Sequence, residues 1–282
     1  MMTRRTAAPH RALCTAVTGI LVALAWASPA SAETKPLYEL GAGVFLVSLP
    51  AYRGATEYKT YLLPFPYVVY RGRFLRSGRQ GVRGVFYENP RAELSLSANA
   101  SPPVSSHDVP IRAGMPDLKP SFEIGPELKL HLYRTPRMQV DFRLPVRAVQ
   151  TLQLKPIGWV AYPHLNLDLP DWRDSGWNLG FSLGPSFGDR GYHRYFYDVA
   201  PQYATADRPV YRAPAGYSGA TFYFAANRRM GQLWIGTYLR YDSLAGAAFQ
   251  DSPLVRTRQY LCAGVGLAWV FSESSQRVTI RP

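Results

Sequence analysis

The chain has 282 residues, with 32 Lys and Arg against 19 Asp and Glu, a formal charge of +13 at neutral pH. At 47% apolar and 18% charged residues it is too hydrophobic for a disordered chain and must bury or shelter apolar surface. After residue 30 no apolar run approaches the roughly 20 residues that a spanning helix needs, which excludes a polytopic helical membrane protein.

The N-terminus reads as a targeting segment. Arg4, Arg5 and Arg11 precede the apolar run from Ala12 to Ala27, and Ala30-Ser31-Ala32 supplies a small-x-small cleavage pattern. Cleavage is expected between Ala32 and Glu33, which makes 1–32 a signal peptide. No hydrophobic pair follows Arg4-Arg5, so the general secretory route is preferred to twin-arginine export. Cys14 leaves with the leader, and Cys262 alone cannot form an intrachain disulfide. The histidines are scattered without metal-ligand spacing, so no metal and no cofactor is expected.

From there on the period is two. Weaker alternation runs over 37–49, 58–70 and 91–99. Between Ser121 and Tyr133 the even positions Phe122, Ile124, Leu128, Leu130 and Leu132 are apolar, and the odd ones include Glu123, Glu127, Lys129 and His131. Arg134-Thr135-Pro136 makes a turn, after which Val140, Phe142, Leu144 and Val146 alternate with Asp141, Arg143 and Arg147. Further segments follow at 154–169, 177–187, 216–227, 232–242 and 261–271. A soluble strand averages about 5–6 residues, whereas a tilted strand crossing a bilayer needs about 9–11.

These lengths predict an all-β protein, a transmembrane antiparallel up-and-down β-barrel over 33–271 with ten strands, followed by a C-terminal periplasmic tail, 272–282. Twelve strands is the alternative, if Arg73–Leu75 and Val82–Tyr87 form an extra pair. Closure is required because an open edge in hydrocarbon leaves backbone groups unpaired. The long connections 50–57, 100–119, 190–215 and 244–257 fall on one side and the short ones at 134–136, 170–175 and 228–230 on the other, which assigns them to the extracellular and periplasmic ends.

Inside such a barrel Glu123, Glu127, Lys129, Asp141, Arg143 and Arg147 form a lumen cluster of both signs. It reads either as paired side chains filling the interior or as a charged constriction selecting small solutes. His107-Asp108 and the group Asp189, His193 and Asp198 fall in extracellular loops without a nucleophile elbow or paired acid-base spacing. They read as solvated loop residues, and no catalytic residue is assigned. Between Tyr58 and Tyr87 there is no acid, while Lys59, Arg71, Arg73, Arg76, Arg79 and Arg83 are present. Nucleic acid is not a partner for an exported protein. Arg73, Arg76 and Arg79 are therefore candidate contacts to an acidic periplasmic partner or to peptidoglycan, with lipopolysaccharide phosphates as the counterpart if that stretch faces outward.

Four stretches carry a resemblance. They are Leu40-Gly-Ala-Gly-Val44 running into Pro50-Ala-Tyr52-Arg-Gly54 and the Pro64-Phe-Pro66-Tyr67 strand; Ala113-Gly114-Met115-Pro116-Asp117-Leu118 leading to Glu123-Ile-Gly125-Pro126; Tyr195-Phe-Tyr197-Asp198 through Tyr211 and Gly216-Tyr217-Ser-Gly219; and Tyr241-Asp242 through Asp251-Ser252-Pro253-Leu254-Val255. In order and spacing the chain resembles the MipA/OmpV family of outer-membrane proteins. The resemblance implies a non-enzymatic barrel in the outer membrane, in contact with lipid and lipopolysaccharide, that acts as a scaffold between a lytic transglycosylase and a peptidoglycan synthase. A narrow solute channel, or an adhesin built from the long loops, is the other reading. Family members tend to end on an aromatic strand. Gly266–Phe271 looks like that signal, yet Ser272–Pro282 continues past it.

Overall fold

The alternating segments pair edge to edge into one antiparallel sheet that closes on itself. The computed structural model describes residues 33–72, 74–78 and 81–280. In chain order the strands are β1 (Glu33–Pro36), β2 (Tyr38–Pro50), β3 (Tyr58–Arg71), β4 (Leu75–Gly78), β5 (Gly81–Glu88), β6 (Ala92–Ser101), β7 (Ser121–Arg134) and β8 (Gln139–Thr151). They continue with β9 (Pro156–Ala161), β10 (His164–Leu169), β11 (Trp177–Gly188), β12 (Gly216–Met230), β13 (Leu233–Ser243), β14 (Gln259–Glu273) and β15 (Arg277–Ile280); a helix, α1 (Arg190–Tyr197), lies between β11 and β12. Among the described residues no helix is long and apolar enough to cross a membrane.

Neighbouring strands are hydrogen-bonded in sequence from β2 to β14, and β14 pairs with β2 over Ala263↔Ser48 to Glu273↔Glu39, which closes the ring. β9 and β10 together make one wall strand, since both bridge β8 to β11. The 154–169 segment breaks at Tyr162-Pro163, where proline removes a ladder donor. The wall thus has twelve strands, not the preferred ten. The extra pair is β4 and β5, in the segment that reads ambiguously. β4 has only four residues, too few for a period-two signal to be seen.

Side chains divide as the alternation requires. Val44, Leu62, Leu183, Val265, Leu267 and Phe271 point outward and are 41–67% exposed, which is costly in water and favourable against lipid tails. Tyr58, Trp159 and Tyr241 at one end and Trp269 and Phe271 at the other flank this band, where amphipathic rings suit the interface. The inward positions are charged, polar, aromatic or glycine. Outside the barrel, β1 pairs with β15 over Glu33↔Ile280 to Pro36↔Arg277, so residues from both ends of the described chain form a short ribbon at the short-turn end.

Candidate functional site

Two walls of different chemistry face each other across the lumen. On β7 and β8 the six charged residues picked out from the alternation meet in one network. Lys129 Nζ lies 3.4 Å, and Arg143 Nη2 3.5 Å, from Asp141 Oδ2. Arg143 also reaches Glu127 at 4.0 Å and Asp168 at 3.9 Å, while Arg147 stands 3.6 Å from both Glu123 and Glu127. His131 Nδ1 is 2.8 Å from Asp141 Oδ1, and Tyr162 donates its hydroxyl to Glu123 at 3.2 Å. The sequence reading missed Glu93, Arg83 and Asp168. Glu93 is buried 3.3 Å from Arg76 and 3.7 Å from Arg83. Their signal was parity: once β6 and β10 are placed, Glu93 and Asp168 fall on inward positions. Charges this far from bulk water persist only when paired, and these are.

The opposite wall, on β2, β3, β12 and β13, is aromatic. Phe45 stacks on Tyr238 at 5.9 Å between centroids, and Tyr238 on Tyr223 at 5.4 Å. Phe65 meets Phe45 and Trp234 edge-on at 6.2 Å each, and Tyr67 lies 5.5 Å from Trp234. Glycines on β14 make room for these rings: a Cβ at Gly266 would stand 2.6 Å from the Phe45 ring, and one at Gly264 2.6 Å from the Tyr238 ring. Between the walls lies a cavity of about 420 Å³, with Asn166, Asp168 and Asn227 at its polar side. Towards the short-turn end Glu39 accepts from Arg71 at 2.5 Å and pairs with Arg229, which also pairs with Glu273.

At the other end the long loops close over the mouth. Tyr52, Val104, Val109, Leu118, Tyr197, Leu244, Phe249 and Leu254, drawn from the loops after β2, β6, β11 and β13, form one buried cluster. Tyr197 stacks on Phe249 at 3.7 Å with the rings 8° apart. Arg208 Nη1 donates to the carbonyls of Ile111 at 2.7 Å and Ala113 at 3.0 Å, tying two loops together. Arg53 donates to Tyr260 Oη at 3.0 Å and Ser186 Oγ at 3.2 Å, anchoring the cluster to the wall.

Of the acid and base groups weighed for catalysis, Asp189, His193 and Asp198 are engaged within this cap, and His193 is buried rather than solvated, whereas the His107 side chain is 98% exposed. Asp189 caps α1, accepting from the Tyr192 amide at 2.8 Å, and Asp198 accepts from the Ala213 amide at 2.6 Å. His193 is fully buried, with Nδ1 2.6 Å from the Pro214 carbonyl and Nε2 2.6 Å from Ser218 Oγ. Nδ1 therefore donates and Nε2 accepts, the neutral form, and burial pushes the ring's pKa below its usual 6.5. Asp108 accepts from Lys59 at 2.6 Å, and that hydrogen bond holds its carboxyl below the usual range. Among the described residues no group of three ligating side chains could hold a metal ion.

Of the three arginines expected to face a periplasmic partner, Arg76 turns into the lumen. Its Nη2 lies 2.6 Å from Glu88 and its Nη1 3.3 Å from Glu93. Arg73 and Arg79 lie outside the described residues, as does Ala32 of the expected cleavage site; Glu33 opens β1.

The family described as MltA-interacting protein MipA matches residues 40–271. The chain belongs to the MipA family. Its barrel is accordingly an outer-membrane one. No curated protein matches the chain. Among solved structures it is similar to a bacterial polysaccharide outer membrane secretin, at 11% identity over 84% of this chain and 99% of that one with a TM-score of 0.42. It is also similar to the COG4313 outer membrane channel from Pseudomonas putida F1, at 12% over 87% and 100% with a TM-score of 0.42. A third is the CymD monoaromatic hydrocarbon channel, at 10% over 84% and 89% with a TM-score of 0.36. These likenesses are remote, and the family match alone identifies the chain.

Proposed function

We propose that this MipA-family barrel is a non-enzymatic scaffold. It holds a lytic transglycosylase, and with it a peptidoglycan synthase, at the inner face of the outer membrane. The observation that carries the reading is the lumen: packed loops close its mouth and paired charge fills one wall, so the surface left for recognition is the periplasmic rim. The family's description as MltA-interacting supports a wall enzyme as the partner.

On that rim the guanidinium of Arg76 is committed to Glu88 and Glu93, and the contact is assigned instead to the turns. The turn between β10 and β11 exposes Trp172 with Arg173 over its ring at 5.1 Å. Asp171, Arg173 and Asp174 there hold φ of 44°, 54° and 58°, a region costly for residues with a Cβ and often kept at functional positions. Arg137 beside it is 83% exposed. An aromatic ring with adjoining arginines is a common anchor for a protein partner, here one with an acidic face. At the opposite end the exposed Arg190, Arg194 and Arg212 are placed to meet lipopolysaccharide phosphates.

The test is site-specific photocrosslinking in cells. A photoreactive residue at Arg137 or Arg173 is expected to capture a lytic transglycosylase, and Trp172→Ala with Arg173→Ala to reduce its co-purification about tenfold while the barrel still assembles. Crosslinks that arise only from the extracellular loops would contradict the reading.

A further inference from the structure

Among the described residues the barrel wall has a seam, a stretch where neighbouring strands do not pair. β3 pairs with β4 only at Tyr70↔Ser77 and Arg71↔Arg76, and β5 with β6 only from Arg83↔Ser97 downward. The β4 register extended by two residues would reach no higher than Tyr67. Above that level, towards the extracellular end, β3 from Tyr58 to Pro66 and β6 from Asn99 to Ser101 have no described strand between them.

The sequence enforces the gap. Arg71 donates its amide to Leu37, so odd residues of β3 bond towards the β2 side; the Val68 carbonyl accepts from Ser77, so even residues face the other edge. Pro64 and Pro66 are even, and their missing N–H groups leave that edge without two donors just where a partner strand would need them. Below the gap β4 and β5 intervene, so three strand spacings, about 14 Å, separate β3 from β6 there. Ala98 and Ala100 on the far edge are small and exposed, and the ion pair between Lys59 and Asp108 ties β3 to the loop after β6 above the gap.

Both sides of the gap are apolar. Outside, a groove of about 360 Å³ between Tyr38, Leu40, Val68, Tyr70 and Leu75 lies at its foot. Inside is the aromatic cavity, and Val68 borders both. Leu63, which points inward beside the gap, is 47% exposed. With the mouth capped by packed loops, the seam offers a way in from the membrane.

We propose that the seam between β3 and β6 is a lateral entrance through which a small aromatic hydrophobe dissolved in the outer leaflet reaches the cavity lined by Phe45, Phe65, Tyr67, Trp234 and Tyr238. The occupant is ring-bearing because the cavity wall offers stacked and edge-on rings, which prefer aromatic partners. The entrance is independent of the periplasmic contact, so either reading stands if the other fails.

The test uses the folded full-length barrel in liposomes and the bilayer-soluble aromatic photoprobe 3-trifluoromethyl-3-(m-iodophenyl)diazirine, with labelled residues mapped by mass spectrometry. Lipid-facing Trp269 and Phe271 are expected to label, and so are the lumen residues Trp234 and Tyr238. Leu63→Arg on one edge of the seam, or Asn99→Arg on the other, should cut lumen labelling at least fivefold and leave Trp269 and Phe271 unchanged, which also reports an intact barrel. Lumen residues that stay unlabelled in the wild type, or that label equally in both edge variants, would overturn the proposal.

Discussion

His193 locks the loop cap through its neutral ring, with Nδ1 donating a hydrogen bond to the Pro214 carbonyl and Nε2 accepting one from the Ser218 hydroxyl. Burial lowers its pKa, so the unfolded loop binds a proton near pH 6.5 and the folded loop only at lower pH. The stabilisation is therefore complete above pH 6.5 and is lost as pH falls below it. Cys262, the one cysteine among the described residues, is buried in the cap cluster and reports the loosening. Relative to unfolded protein, its reaction with 4,4′-dithiodipyridine is expected to quicken several-fold from pH 7.5 to pH 5 in the wild type, and not at all in His193→Gln.

Tyr197→Ala should lower unfolding stability by about 3 kcal/mol, read as a reduced urea midpoint, since it empties the space over Phe249. Asp141 is fully buried between Lys129, Arg143 and His131, so Asp141→Ala takes the acceptor from buried Lys129 and one of three from Arg143, and should cost about 3–5 kcal/mol on the same assay. Asp141→Asn should cost less, because it keeps the shape and one acceptor oxygen.

Among the elements, β3 is the strand whose exposed edge needs protection. An unpaired edge invites pairing with another chain, and Pro64 and Pro66 blunt it by removing donors. Pro64→Val with Pro66→Val is expected to produce dimers that survive unheated SDS electrophoresis; a variant that stays monomeric would count against this role. Most strands were legible because thirteen or fourteen alternating residues, as in β7 and β8, leave no other period. The β4–β5 pair was legible only as the twelve-strand alternative, because the four residues of β4 are too few to show a period and Gly81 and Gly84 thin the alternation of β5. The seam was written in Pro64 and Pro66, yet a proline in an alternating run cannot be placed on an edge before the neighbouring strands are known. Likewise the six charges of β7 and β8 were visible as one face, whereas the aromatic wall draws on strands far apart in sequence, and only closure of the ring brings Phe45, Tyr223 and Trp234 together.

At the scale of the whole molecule, three regions divide the work. A lipid-facing band holds the barrel in the outer membrane, a buried loop core covers one mouth while an ion-pair network lines one wall, and a rim of short turns carries the exposed Trp172, Arg173 and Arg137. Axial sealing is what separates the proposed scaffold from a pore. It is tested most directly by planar-bilayer conductance of the folded protein at neutral pH. No steady current above the bare-membrane baseline is expected from the wild type, and brief openings are expected once Tyr197→Ala and Phe249→Ala remove the stacked pair from the cap. A wild-type barrel that carries a stable ohmic current of porin size would contradict the account.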